Sequence, residues 1–258
     1  MPRIKLTLEY DGTNYVGWQI QQNGPSVQGR LQLALAELLG HPASVTAAAR
    51  TDSGVHALGQ VACFDTERVL PMKAYWMGLS GLLPEDIAVV SAEEVESDFD
   101  PRRRAAGKLY RYAIGNRRTR SPLRRLSHWE IFQPLAIAEM REASAFLLGR
   151  HDFSAFRASD CQAPHAVREL RRVDVTGRAG DEIRIDVEGT AFVKHMVRNI
   201  AGTLVDVGKG RHAAGWVRDV LESKDRTQAG PTAPGHGLTL IEVLYRGAPA
   251  EEDDGEDA

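Results

Sequence analysis

RIKLTLEYDG, residues 3–12, alternates apolar and polar side chains without a break: Ile4, Leu6, Leu8 and Tyr10 against Arg3, Lys5, Thr7 and Glu9. Period two means an extended strand with one buried face, and Asp11-Gly12 marks the turn that ends it. The same signature returns at 182–188, where Ile183, Ile185 and Val187 alternate with Glu182, Arg184 and Asp186. After the first strand the period changes to that of a helix. Ser26 is a candidate N-cap; Val27, Leu31, Ala34, Leu35 and Leu38 form one stripe; Gly40 and Pro42 stop it. Strands are further expected near 44–50, 60–66, 87–95, 108–114, 170–176 and 238–245. Helices are expected near 72–83, 137–148 (closed by Gly149), 192–207 and 214–222. The acidic stretch SAEEVESDFDP, 91–101, separates two such sets. The pattern predicts an α+β fold: two similar α/β units, 1–100 and 101–248, whose antiparallel sheets join into one central mixed or antiparallel sheet flanked by helices and loops, with a cleft between the halves.

Composition narrows the class. The 258 residues are 43% apolar and 26% charged, ordinary for a globular protein. Residues 1–10 lack the apolar core of a signal peptide, and no apolar run approaches the ~20 residues of a membrane span, so a cytoplasmic protein is expected. Cys63 and Cys161 form no C-x-x-C pair and the eight histidines show no ligand spacing; neither disulfide nor metal is expected. The net charge of −3 conceals an asymmetry. The last eight residues, EEDDGEDA, hold six acids, and removing them turns −3 into +3. This tail, 249–258, is expected to be disordered. Between Arg102 and Arg125 lie ten arginines and lysines and no acid, a density that attracts phosphates.

The stretch AAARTDSGVHALGQ, 47–60, is the strongest candidate for chemistry. Small residues lead into Arg50-Thr51-Asp52, and Ser53-Gly54 supplies a turn. In extended backbone Arg50 and Asp52 would point to the same side, and a guanidinium beside a carboxylate favours its charged form. An aspartate before Ser-Gly is equally a common turn residue. Local pattern alone does not decide between them.

The string R-T-D-S-G-V-H-A, 50–57, resembles the R-T-D-x-G-V-H signature of the tRNA pseudouridine synthase A family. Three further strings agree in the family's order: DGTNYVGWQ at 11–19, KLYRY at 108–112 and FVKHMVRNIAG at 192–202. The resemblance runs to about residue 245. It implies a catalytic aspartate at Asp52, an active-site tyrosine at Tyr110, an arginine at Arg198 that pairs with the aspartate, and the signature's own Arg50. It also implies a cofactor-free homodimer of two α/β halves, acting on uridines 38, 39 and 40 of the tRNA anticodon stem-loop.

These residue types suit that chemistry. Forming pseudouridine moves uracil from N1 to C5 attachment with no atom gained or lost, so no redox or nucleotide cofactor is needed, only a charged carboxylate held close to the base. Attack at C6, an ester at C1′ and a glycal route all remain open to Asp52. The target must be flipped out of its helix, and Tyr110 would stack on it, an interaction worth about 1–3 kcal/mol. In an alternating strand such a tyrosine is otherwise sheet packing. Recognition across several tRNAs must rest on shape and phosphates. Arg102 and Arg103, with Arg157, Gln162 and His165 in a polar loop, are the candidate RNA contacts. Two rivals are weighed: a binding-only RNA protein, and a phosphate-handling enzyme built on GTLVDVGKG, 202–210, whose glycine spacing is wrong for a P-loop.

Overall fold

The alternating segment forms the strand β1 (Arg3–Tyr10) in the computed structural model, which describes residues 1–246. Its apolar side chains Ile4, Leu6, Leu8 and Tyr10 are each no more than 2% exposed, while Lys5 on the opposite face reaches Glu93 at 2.7 Å. Two antiparallel neighbours flank it, β3 (His56–Asp65) and β4 (Ile87–Val95). The short β2 (Thr46–Ala47) adds to β3. The helix α1 (Val27–Leu39) starts where the sequence marks it. The Ser26 side chain accepts from the Gly29 amide, and Gly40 closes the helix in the left-handed region. A π-helical turn, Ala74–Gly78, runs into α2 (Leu79–Leu82).

Beyond residue 100 come β5 (Ala105–Gly115), β6 (Trp129–Glu130), α3 (Ile137–Ala145), β7 (Gly149–Asp152), β8 (Val167–Gly177), β9 (Glu182–Gly189), α4 (Met196–Gly208), α5 (Trp216–Ser223) and β10 (Leu238–Tyr245). All strands among the described residues join one ten-stranded sheet in the order β4-β1-β3-β10-β5-β9-β8-β7, with β2 on β3 and β6 on β5. The molecule is thus α+β with a mixed, mostly antiparallel sheet. The join is made by β10, antiparallel to β5 and parallel to β3 through Thr239–His56 and Leu240–Ala57. The last strand therefore stitches the C-terminal strands to the strand that follows Asp52.

Every residue of α4 except Arg198 is buried. A helix covered on all sides belongs to the centre of a core, and its polar groups are all answered. Asn199 donates to the Phe156 carbonyl at 2.8 Å and accepts from Thr232 and Arg226. Thr203 donates to Asn199 O and accepts from the Gly230 amide. These bonds dock residues 226–235 along the helix.

Several expected boundaries differ. The strand expected at 44–50 shrinks to two residues because the Gln60 side chain, not a neighbouring strand, takes both backbone groups of Ala49 (3.2 and 2.8 Å). The helix expected at 72–83 is broken by its π turn. The helix expected from residue 192 begins at Met196, because His195 sits at φ 63 in the left-handed region. Residues 202–206 lie inside α4, so GTLVDVGKG forms no phosphate loop. The acidic tail lies outside the described residues. No helix among them is long and apolar enough to cross a membrane.

Candidate active site

Asp52 sits in a loop just before β3, and the segment 11–19 holds that loop in place. The Trp18 amide donates to Thr51 O (3.1 Å), the Gly54 amide and the Ser53 hydroxyl donate to Tyr15 O (3.3 and 3.2 Å), and Tyr10 shares a 2.8 Å hydrogen bond with the Thr51 hydroxyl. The approach is so close that a Cβ on Gly17 would lie 2.4 Å from Thr51 O, and Gly17 has φ 118. Only glycine meets both demands. From the other side Gly235 abuts Ser53 O, and His56 bridges the two flanks: its Nδ1 accepts from the Gly12 amide and its Nε2 faces His236 O. The DGTNYVGWQ string therefore acts as a cradle for the Asp52 turn.

Opposite stands the first turn of α4. Arg198 Nη1 donates to Asp52 Oδ2 at 3.0 Å, and Arg198 Nε donates to Ala233 O at 2.8 Å. One guanidinium thus ties together Asp52, the helix and the 226–235 segment, across 146 residues of sequence. The Asp52 side chain keeps 24% of its surface exposed and Arg198 15%, so the pair is partly shielded yet reachable. His195 Nε2 lies 3.5 Å from the same Oδ2. Burial pushes its imidazole below the usual value against the opposing pull of Asp52. A non-glycine residue at positive φ beside a carboxylate is the kind of backbone strain found at functional sites.

Tyr110 on β5 is buried on the sheet face it shares with Tyr112 and Ile114. Its ring meets Phe192 edge-on, with centroids 5.0 Å apart. Burial first, then the neighbouring Tyr10 and the charge of Asp52, raise its phenol above the ordinary value, so it stays protonated. The structure thus sets a neutral O–H near a carboxylate–guanidinium pair. A hollow between α3 and β8, lined by Arg141, Ser144, Leu148 and Thr176, includes none of these residues.

The other expected residues fall less uniformly. Arg50 is exposed and forms no ion pair among the described residues; the expectation that it lies against Asp52 is corrected, because Thr51 is anchored inward and the backbone there is not a strand. Lys194 precedes the helix and pairs with Asp160. Arg102, Arg103, Gln162 and His165 are exposed, whereas Arg157 is half-buried with Nη1 on Ala163 O (3.3 Å). The basic run is also partly neutralised by acids outside it. Arg104 meets Asp98, Arg111 meets Asp186 and Arg124 meets Asp181. His195 and Phe192, both inside the FVKHMVRNIAG string, join the site although no local sequence signal marks either as a site residue. Among the described residues no group of three or more His, Cys, Asp or Glu is placed to hold a metal.

Comparison with known proteins agrees with this geometry. A family model described as tRNA pseudouridine synthase matches residues 7–102 and 143–246; the first segment contains Asp52 and the second Arg198, while Tyr110 falls between them. The chain is 64% identical over 265 residues to the tRNA pseudouridine synthase A of Myxococcus xanthus, with 99% of this chain and 100% of that protein covered. It is 49% identical over 245 residues to the proteins of the same name from Geotalea uraniireducens and Pelobacter propionicus, covering 95% of this chain and 100% of each. Matched over most of its length, and with an aspartate and an arginine from the two matched segments in contact, this chain belongs to the tRNA pseudouridine synthase family.

Proposed function

We propose that this protein isomerises uridines 38, 39 and 40 of the tRNA anticodon stem-loop to pseudouridine, with Asp52 as the nucleophilic carboxylate. Membership in an isomerase family acting on tRNA uridine supports the reaction class. The 3.0 Å contact between Asp52 and Arg198 carries the assignment of the site, since it fixes a carboxylate whose side chain keeps 24% of its surface exposed; in this reading that carboxylate and Tyr110 face the groove between the two halves.

The reaction breaks N1–C1′, joins C1′ to C5, releases the C5 proton and leaves N1 protonated. Asp52 supplies the charge at the reacting centre, whether toward C6 or C1′. Arg198 fixes the carboxylate's orientation by holding one oxygen, leaving Oδ1 for the substrate. Tyr110 offers the flipped uracil a flat surface and a neutral hydroxyl. Arg50, exposed at the lip, together with Arg102, Arg103, Arg157, Gln162 and His165, belongs in this reading to RNA contact. No step calls for a metal or a nucleotide cofactor. The residues split into units 1–100 and 101–248 with the groove at their seam, the working form is a homodimer, and the substrate places the work in the cytoplasm.

The test is release of tritium from tRNA labelled at uridine C5. Wild-type protein releases label from a stem-loop carrying uridines at 38–40 and not from one with cytidines there. No release from the uridine stem-loop sinks the reading, and a binding-only protein is then what remains.

A further inference from the structure

Lys108 opens the KLYRY string, yet the reaction as drawn gives it no task. It is about nine-tenths buried, and its ammonium makes no hydrogen bond or ion pair among the described residues. Burial, then the charge of Arg102, pushes it down to about 8. The ammonium itself is not among the fully enclosed unpartnered atoms, so it stays reachable from solvent; with a second cation near it and no acid bonded to it, it is poised to answer an anion.

The sheet shows where that anion would sit. Lys108 and Tyr110 are two residues apart on β5 and share one face, about 7 Å along the strand. Lys108 pairs with Gly189 on β9, and Gly189 pairs with Leu170 on β8. Gly189 has no side chain, so the row between Lys108 and Leu170 is low. Arg168, two residues before Leu170, lies on that same face. Burial first, and then the charge of Arg102, lowers Arg168, whose Nε is buried without a partner. Asp100, two residues before Arg102, accepts from the amides of Arg102 and Arg103 at 2.9 Å each. Lys108 and Arg168 thus share the sheet face that carries Tyr110, Arg102 lies within charge range of both, and the Arg168 Nε remains an unspent donor.

We propose that Lys108, Arg102 and Arg168 form a phosphate subsite that grips the RNA backbone next to the nucleotide whose base stacks on Tyr110. Beside a stacking surface and a carboxylate, the fitting ligand is a phosphodiester. The subsite would add a fixed grip to loosely steered RNA, holding ground and transition states alike. This deepens the proposed function and rests on it for the identity of the RNA.

The experiment measures fluorescence anisotropy of a labelled anticodon stem-loop from 50 to 300 mM KCl (roughly the range over which phosphate contacts show their salt dependence), with parallel tritium-release kinetics. Lys108→Gln is expected to flatten the slope of log affinity against log salt by about 0.7–0.9, the loss of one phosphate contact. It should raise KM on the order of tenfold with kcat little changed, as for lost uniform binding. Lys108→Arg should keep the slope. The melting temperature of Lys108→Gln should match or exceed that of wild type, because an unanswered charge has been removed; a lysine with a merely structural role would lower it. Arg168→Gln supplies an independent second readout of the slope. An unchanged slope in both glutamine variants overturns the proposal. Because the slope is read from binding, it stands apart from the reaction: wild-type protein that binds but releases no tritium overturns the proposed function while leaving the subsite testable.

Discussion

At the scale of single residues, the site turns on which arginine meets Asp52. Arg50 is the neighbour in sequence, but the neighbour in space is Arg198, 146 positions away. Local reading favours Arg50 because i and i+2 share a side in a strand; the backbone at 50–52 is instead drawn into a loop by Tyr10 and Trp18. Asp52→Asn preserves shape and hydrogen-bonding while removing the nucleophilic charge. It should retain RNA affinity and lose turnover by at least ~10³-fold, in line with the loss of other single catalytic groups; tritium release near the wild-type rate would discard the assignment. Arg198→Lys is a sharper probe of geometry. A lysine ammonium is a point donor and cannot span Ala233 O and Asp52 Oδ2 as the guanidinium does. The expected cost is one hydrogen bond, about 1 kcal/mol in urea titration, but on the order of 10²-fold in rate, since misplacing a reacting group by 1 Å costs about that much. Equal, small losses in both measurements would show that the pair is only structural.

Among the elements, α4 and its partner segment set the precision of the site. Gly202 stands mid-helix, and a Cβ there would lie 1.7 Å from Pro231 O. Helix propensity alone makes Gly202→Ala stabilising by about 1 kcal/mol, whereas overpacking a filled core costs about 1–3 kcal/mol. The contact should win, because backbone rather than a flexible side chain stands in the way. The displaced segment carries Ala233, so activity should fall with stability. A raised melting temperature would show that propensity decides. What was legible of these elements follows the same physics. Residues whose caps are local were placed well: Ser26 and Gly40 bound α1, and the strands at Ile87–Val95 and Leu238–Tyr245 match their alternation. The start of α4 was misread because Phe192 and Val193 continue the apolar stripe for tertiary reasons, Phe192 packing against Tyr110 and Val193 lying buried in the core. Nothing local marks a left-handed turn at His195.

Over the whole molecule, the parallel join of β10 to β3 could not be read from strand patterns, which carry no partner information, although the merging of both sets into one sheet follows from their shared alternation. Acid stability is likewise a property of the assembled sheet. Arg3 holds Asp65 below the usual carboxylate range by a two-point hydrogen bond, and the Arg184 side chain does the same for Glu182. A depressed carboxyl contributes stability that is complete above its unfolded value and lost as pH falls through the folded one. Melting temperature should therefore hold steady down to about pH 4.5 and drop below it, less steeply in Asp65→Asn; a decline beginning near pH 6 would point to histidines instead. Charge at longer range concerns residues 251–258. Their six acids turn a +3 chain into a −3 one, and a net negative charge opposes the approach of a polyanion. Deleting them should tighten stem-loop binding at 50 mM salt, where the screening length is about 14 Å, and change little at 0.5 M, where it is about 4 Å. Saturated turnover should not move, since no acid in that segment is asked to touch the base. A fall in kcat on truncation would give the segment a part in the chemistry, and affinity equally improved at both salts would mean that it acts by occlusion rather than by charge.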